Sequence, residues 1–286
     1  MEAPLIEFQD VTKSFGPRTV LDRVNLRIHA GQVTTIIGLS GAGKSVLLKH
    51  IIGLLKPDSG RIIFQGRPLD EMTVSERKSS LAQISYMFQD NALFDSLSVY
   101  DNIALPLRET TNLSRSEIDR RVTARVEQME LADAVNKYPS ELSGGMQKRA
   151  ALARALVTDP RIVLFDEPTS GQDPIRKNAI LGMIAQYQRR IGFTAILVSH
   201  EIPDVYFISN RILALYDRTV VFQGTPAELE DFDHPFLDDI IRSLEGLHGE
   251  LTDPFARTRF AMAHQELEKK KTGKDIHALP AENHHG

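Results

Sequence analysis

The chain reads as an α/β protein with a mostly parallel sheet and flanking helices, joined to an N-terminal antiparallel β subdomain and an inserted helical subdomain. Three observations lead to that class. Near the start, "LIEFQDVTKSF" alternates at Ile6, Phe8 and Val11, and "VLDRVNLRI" alternates through Val24, Leu26 and Ile28, the period of half-buried strands. Further on, the short apolar runs "QVTTIIG", "RIVLFD" and "FTAILVSH" alternate with helical stretches, as buried parallel strands do. From about residue 95 to 158 the pattern turns helical.

Each element has its own signal. "QVTTIIG" ends in glycine and leads straight into the helical run "GKSVLLKHIIGLL". A Pro-Asp-Ser-Gly turn at 57–60 precedes the strand "RIIFQG", which turns at Gly66 and Pro68. In "SRSEIDRRVTARVEQMEL" the residues Ile118, Val122 and Val126 form an apolar stripe that Leu131 completes. Ser114, with Glu117 three residues on, predicts a capping box at the start of that helix. "NRILALYDRTVVFQG" reads as a hairpin. Beyond it, "HPFLDDIIRSLEGL" lines up Phe236, Ile240, Leu244 and Leu247. Asp253, Pro254 and the lysines at 269–271 before Gly273 mark the start and stop of a last helix. Its stripe of Ala256, Phe260, Ala263 and Leu267 is thin, so residues 249–272 are expected to dock on a neighbour. The expected organisation is a main domain over 1–242, with the helical subdomain of about 95–158 inserted, and a C-terminal helical extension with a flexible tail over 243–286.

Composition excludes several classes. The 286 residues carry a formal net charge of -4, the wrong sign for a general nucleic-acid binder. Cysteine is absent from the sequence, which removes disulfides and thiolate metal sites and suits a reducing compartment. "MEAPLIEFQD" lacks the order of a signal peptide. No apolar run approaches the roughly 18 residues that cross a bilayer, so any membrane role is expected to come through a partner.

The segment "GLSGAGKS", residues 38–45, fits G-x-x-x-x-G-K-[ST] between a buried strand and a helix. Gly38, Leu39, Ser40, Gly41, Ala42 and Gly43 would present backbone N–H groups to a polyphosphate at a helix N-terminus. The glycines permit close approach and positive φ. Lys44 would reach the β- and γ-phosphates, and Ser45 would ligate Mg²⁺. A dinucleotide fingerprint is a poorer fit, because "GAGKSV" lacks the third glycine.

"RIVLFDEP" ends a strand in two acids. At the C-terminal edge of the sheet Asp166 would serve the Mg²⁺ shell, and Glu167 would orient the attacking water. His200 ends "FTAILVSH" at the same edge, within reach of a γ-phosphate or the water. "HEIPD" does not carry the second histidine of a helical zinc motif.

"LSGGMQKRAALARAL", residues 142–156, resembles the signature motif of ATP-binding cassette (ABC) ATPases, and the other markers of that family follow in order over roughly residues 3–240. The resemblance implies a P-loop NTPase core in which 1–242 is the nucleotide-binding domain. It implies that Phe15 stacks on adenine, that Gln89 of "MFQD" is the Q-loop glutamine, touching nucleotide and Mg²⁺, and that "SGQD" with Asp173 is the D-loop. His200 is the switch histidine and, with Glu167, the catalytic pair; Ser45, Gln89 and Asp166 form the metal set. Ser143, Gly144 and Gly145 open a helix that, in the family, points at the γ-phosphate held by the other subunit. The expected assembly is therefore a homodimer with two ATP at its interface. The fifth signature position is Met146, followed by Gln147, a form that many importers share.

Within the family, "NALF", "DNIALPLRE" and "SGQDPI" resemble the ATPases of Mla-type, or solvent-resistance, phospholipid transporters. That likeness implies an MlaE-type permease, an MCE-domain protein beyond it, an MlaB-type STAS protein bound to the ATPase, and a place on the cytoplasmic face of the inner membrane. Ala92, Leu93, Phe94 and Leu97 would offer the permease an apolar groove. The other readings are an ABC importer for a small solute and a soluble ABC ATPase acting on DNA or ribosomes. Gln172 stands where the family normally has leucine, and its amide is expected to find partners across the dimer or in water.

Overall fold

The computed structural model describes residues 3–87, 92–199 and 208–235. Gln89, His200 and the expected C-terminal extension lie outside the described residues. The first compact unit runs from Met1 to His234.

Two sheets organise the first unit. Strands β1 (Ile6–Phe15), β2 (Arg18–Ile28), β4 (Ser59–Phe64) and β5 (Arg67–Pro68) form an antiparallel sheet in the order β2-β1-β4-β5. The register pairs Ile6 with Ile28, Phe8 with Leu26 and Val11 with Val24, so the alternation read from the sequence falls on one buried face. The second sheet has the order β10-β9-β3-β8-β7-β6. Its strands are β3 (Val33–Ile37), β6 (Ile84–Met87), β7 (Ile162–Asp166), β8 (Thr194–Ser199), β9 (Arg211–Tyr216) and β10 (Thr219–Gly224). All neighbours are parallel except β9 and β10, the expected hairpin.

The parallel sheet is covered on both faces, as expected, but by different materials. Ile162 and Leu164 of β7, with Ile196 and Val198 of β8, pack into one core with the antiparallel sheet and with Leu47 and Leu48 of helix α1 (Lys44–Ile51). Val163, Phe165, Ala195 and Leu197 face the opposite core. That core holds α3 (Val99–Thr110), α4 (Arg115–Gln128), α5 (Gly144–Leu156) and α6 (Pro174–Ile191). In α5 the small residues Ala150, Ala151, Ala153 and Ala155 are buried together with Leu152 and Leu156, which lets this helix contact α3, α4 and β6 at once.

One local expectation needs correction. Ser114 does cap α4, accepting from the Glu117 N–H at 3.3 Å. The return half of the box is missing, because the Glu117 carboxylate is taken by Arg120 and Arg121 at 2.7 to 2.8 Å. Helix α2 (Val74–Leu81) buries none of its residues and so has no apolar stripe to announce it. It rests on a complete capping box between Thr73 and Glu76. A short helix α7 (Pro226–Glu230) follows β10 and is boxed in the same way by Thr225 and Glu228.

Candidate active site

The C-terminal edge of the parallel sheet gathers three strand ends. Ile37 of β3 lies opposite Ser199 of β8 and near the end of β9, and Asp166 of β7 lies opposite Val198 of β8. The loop 38–43 therefore leaves the sheet beside the point where the two acids follow β7. This is the crevice outside the carboxyl ends of the strands, where open α/β sheets hold ligands.

The glycines of the loop serve separate needs. A Cβ on Gly38 would stand 2.5 Å from the Leu215 carbonyl oxygen of β9, so this position requires close approach and not positive φ. Gly43 needs both: its φ is +106°, and a Cβ would meet Val20 of β2 at 3.0 Å. Gly43 is also the N-cap of α1, with no side-chain cap and no acid in the first turn. The helix thus begins with its amides uncapped by side chains and its positive end uncompensated, a setting made for an anion.

Lys44 is buried at 5% exposure. Its ammonium donates to the Gly38 carbonyl at 2.7 Å and the Leu39 carbonyl at 3.0 Å. Burial lowers its pKa, and the nearby carboxylates of Glu167 and Asp166 oppose that shift. Ser45, the next residue, is exposed. Asp166 and Glu167 are both half-buried. Glu167 sits in the left-handed region at φ +47°, a conformation that costs a non-glycine residue free energy and concentrates at functional sites. The Glu167 N–H bonds the Val198 carbonyl, and the Ser170 N–H bonds the Glu167 carbonyl, which together hold the turn.

The signature segment forms a second cluster. Ser143 caps α5, accepting from the Met146 N–H at 3.3 Å, and Ser143, Gly144 and Gly145 are exposed, with open space around both glycines. Gln147 is turned away and donates to the Pro139 carbonyl. Among the described residues no hydrogen bond joins Ser143–Gly145 to the loop 38–45. Within one chain these clusters are linked indirectly: Lys148 of α5, buried, donates to the Pro168 carbonyl just after Glu167.

The remaining expected residues are spread around this core. Phe15 ends β1 and is 48% exposed, with the Lys13 ammonium 5.6 Å from its ring centre. Asp173 caps α6 through the Arg176 N–H at 3.0 Å and pairs with the Arg176 guanidinium. Gln172 is half-buried. Of the expected partner groove, Leu93 packs on the core while Phe94 is 52% exposed. The 94–98 turn is held by buried Asn102: its amide oxygen accepts the Phe94 N–H, and its NH₂ faces the carbonyls of Phe94, Leu97 and Ser98. Asn102, Lys148 and Tyr86, whose hydroxyl donates to Asp166 at 2.5 Å, escape a motif search because their roles depend on which elements are neighbours.

A glycine loop opening a helix at this sheet edge, with the acids of β7 beside it, defines a P-loop nucleoside triphosphatase fold. The ABC transporter family matches residues 21–170, and the chain belongs to that family. The intermembrane phospholipid transport system ATP-binding protein MlaF of Haemophilus influenzae is 39% identical over 229 residues, 80% of this chain and 87% of that protein. MlaF of Escherichia coli K12 is 38% identical over 83% of this chain and 90% of its own length. The probable ribonucleotide transport ATP-binding protein mkl of Mycobacterium leprae is 40% identical over 80% of this chain and 66% of its own length. Among solved structures, cbiO1 of Clostridium perfringens, part of the ABC transporter complex cbiONQ, superposes with a TM-score of 0.74 at 29% identity, covering 85% of this chain and 95% of that one. The ATP-binding cassette MJ0796, in a dimeric post-hydrolysis state with ADP and Pi, gives 0.64 at 30% identity, covering 77% and 98%.

Proposed function

We propose that this chain is the ATP-hydrolysing subunit of a transporter that moves phospholipid between the membranes of a bacterial envelope. ATP hydrolysis belongs to its family. The single observation behind a catalytic site is the convergence at one sheet edge of buried Lys44, uncapped helix α1 and the strained Glu167 beside Asp166. The phospholipid reading draws on the MlaF relatives, which this chain matches over most of their length.

In the proposed mechanism the loop amides and Lys44 take the polyphosphate, with Phe15 stacking on the base. Lys44 would exchange its two carbonyl bonds for phosphate oxygens, which costs little because a satisfied donor stays satisfied. Glu167 holds a water in line with the γ-phosphorus and takes its proton; the water oxygen bonds to that phosphorus as the bond to the β–γ bridging oxygen breaks, giving ADP and phosphate. His200 and Gln89 would complete the γ-phosphate surroundings. The donor set suits Mg²⁺: Ser45 offers a hydroxyl and Asp166 a carboxylate, and the described residues hold no cluster of three or more His, Cys, Asp or Glu. That fits a hard cation bound by one or two protein oxygens, water and phosphate. When bound, Mg²⁺ neutralises charge on the β- and γ-phosphates.

Ser143, Gly144 and Gly145 are exposed and, among the described residues, share no hydrogen bond with the loop of their own chain, so we assign them to the nucleotide held by a second copy, as the dimeric cassette MJ0796 suggests. The MlaE-type permease would dock on the side bearing Phe94, placing the chain on the cytoplasmic face of the inner membrane; no helix among the described residues is long and apolar enough to cross a bilayer. A second reading has a specific basis, since the mycobacterial relatives named for ribonucleotide transport are as similar in identity. Reconstituting the purified complex with its membrane partners in liposomes separates the two. ATP-dependent transfer of a fluorescent phospholipid is expected; ATP-dependent movement of ribonucleotides with no lipid transfer would overturn the phospholipid assignment.

A further inference from the structure

Strand β6 is the edge of the parallel sheet and runs beside β7 with Tyr86 opposite Leu164. Asp166 is two residues beyond Leu164, and alternation places both on the same face of β7. Tyr86 packs against the core that also holds Leu164. Leaning along the strand, its hydroxyl donates to Asp166 Oδ2 at 2.5 Å. That is the length of a charge-assisted O–H···O⁻ bond, roughly twice as strong as a neutral one.

We propose that Tyr86 is a positioning residue for the metal carboxylate: by holding Oδ2 it fixes the orientation of Asp166 and leaves Oδ1 as the oxygen that serves Mg²⁺. This rests on the reading of Asp166 as the Mg²⁺ carboxylate. A free carboxylate at a strand end rotates among several orientations, and ordering it on binding costs conformational entropy. Tyr86 meets that cost in the folded chain. A partly buried tyrosine hydroxyl commonly finds some partner. Here the partner is one of the two acids at the nucleotide crevice, reached across a strand pair whose other residues on that face, Ile84, Ile162 and Leu164, are apolar.

The test uses the full chain and Mn²⁺ as the probe. Mn²⁺ affinity is measured by electron paramagnetic resonance with saturating ADP, where no turnover occurs, in wild type, Tyr86→Phe and Asp166→Asn. Phenylalanine keeps the ring and its packing and removes only the oxygen. Loss of an outer partner of a ligating carboxylate typically weakens metal binding about 10- to 100-fold. Tyr86→Phe is therefore expected to weaken Mn²⁺ about 10-fold while leaving metal-free ADP affinity unchanged. Its ATPase should show a matching rise in the Mg²⁺ concentration for half-maximal rate. Wild-type Mn²⁺ affinity in Tyr86→Phe, alongside lost affinity in Asp166→Asn, would overturn the role of Tyr86 and leave Asp166 in place. Wild-type affinity in Asp166→Asn would overturn the reading of Asp166 itself, and Tyr86 with it.

Discussion

Asn102 offers the sharpest test of how the exposed Phe94 turn is built. The residue is fully buried on α3, and its side chain closes the turn 94–98 at distances of 2.8 to 3.1 Å. The amide oxygen accepts one bond. The NH₂ group has two hydrogens for three carbonyls, so three full bonds are the limit. At about 0.5–1.5 kcal/mol net for each bond, Asn102→Ala should cost ~1.5–4.5 kcal/mol. Leu97 is half-buried and Phe94 exposed, so water can repair some of the loss, and a value near 2–3 kcal/mol is expected on that reasoning. Urea unfolding of the purified chain gives the number. Amide hydrogen exchange at Phe94 and Leu97 locates it, with protection falling at the turn before it falls in α5. A change below about 0.5 kcal/mol, or a loss of protection spread evenly over the domain, would refute the picture of a turn clasped by one side chain.

Other substitutions separate causes that the sequence merges. Gly38→Ala puts a methyl 2.5 Å from the Leu215 carbonyl, so β9 or the loop must move, with an expected cost of about 1–3 kcal/mol and weaker ADP binding by calorimetry. Gly41→Ala meets open space but keeps a φ of +76°, for a penalty of roughly 1–2 kcal/mol; a Gly38→Ala chain as stable as wild type would contradict the close approach. His50, fully buried on α1 with Nδ1 on the Val46 carbonyl, has its pKa lowered chiefly by burial. The unfolded chain binds the proton more readily, so stability should hold above about pH 6.5 and fall as pH drops from there toward the lower folded pKa. Urea midpoints between pH 8 and 5 check this, and His50→Leu should flatten the slope; parallel curves would exclude His50 as a source.

Legibility followed distance along the chain. The loop 38–45, the acids after β7 and the strand alternation are local patterns, and each appears where the periodicity and spacing put it. What depends on three-dimensional neighbours was hidden. The order of β6 beside β7 is not written in either strand, so nothing in the sequence pairs Tyr86 with Asp166. Gly38 was readable as necessary, yet its reason is the Leu215 carbonyl from a strand far along the sequence. At Ser114 the motif was right and the outcome was half of it, because two arginines compete for Glu117 and win by charge. Helix α2 carries only a capping box and no buried face, so hydrophobic period has nothing to detect.

ATP turnover tests the proposed site most directly. Phosphate release by the wild-type chain, compared with Glu167→Gln under saturating Mg²⁺ and ATP, isolates the group proposed to orient water. Loss of a positioned general base typically costs about 10²–10⁴-fold in rate. Glu167→Gln is expected to lose at least 100-fold in rate, to bind ATP as wild type does, and to accumulate as a nucleotide-bound dimer in light scattering. Turnover within a factor of two or so of wild type would contradict the assignment of the catalytic edge.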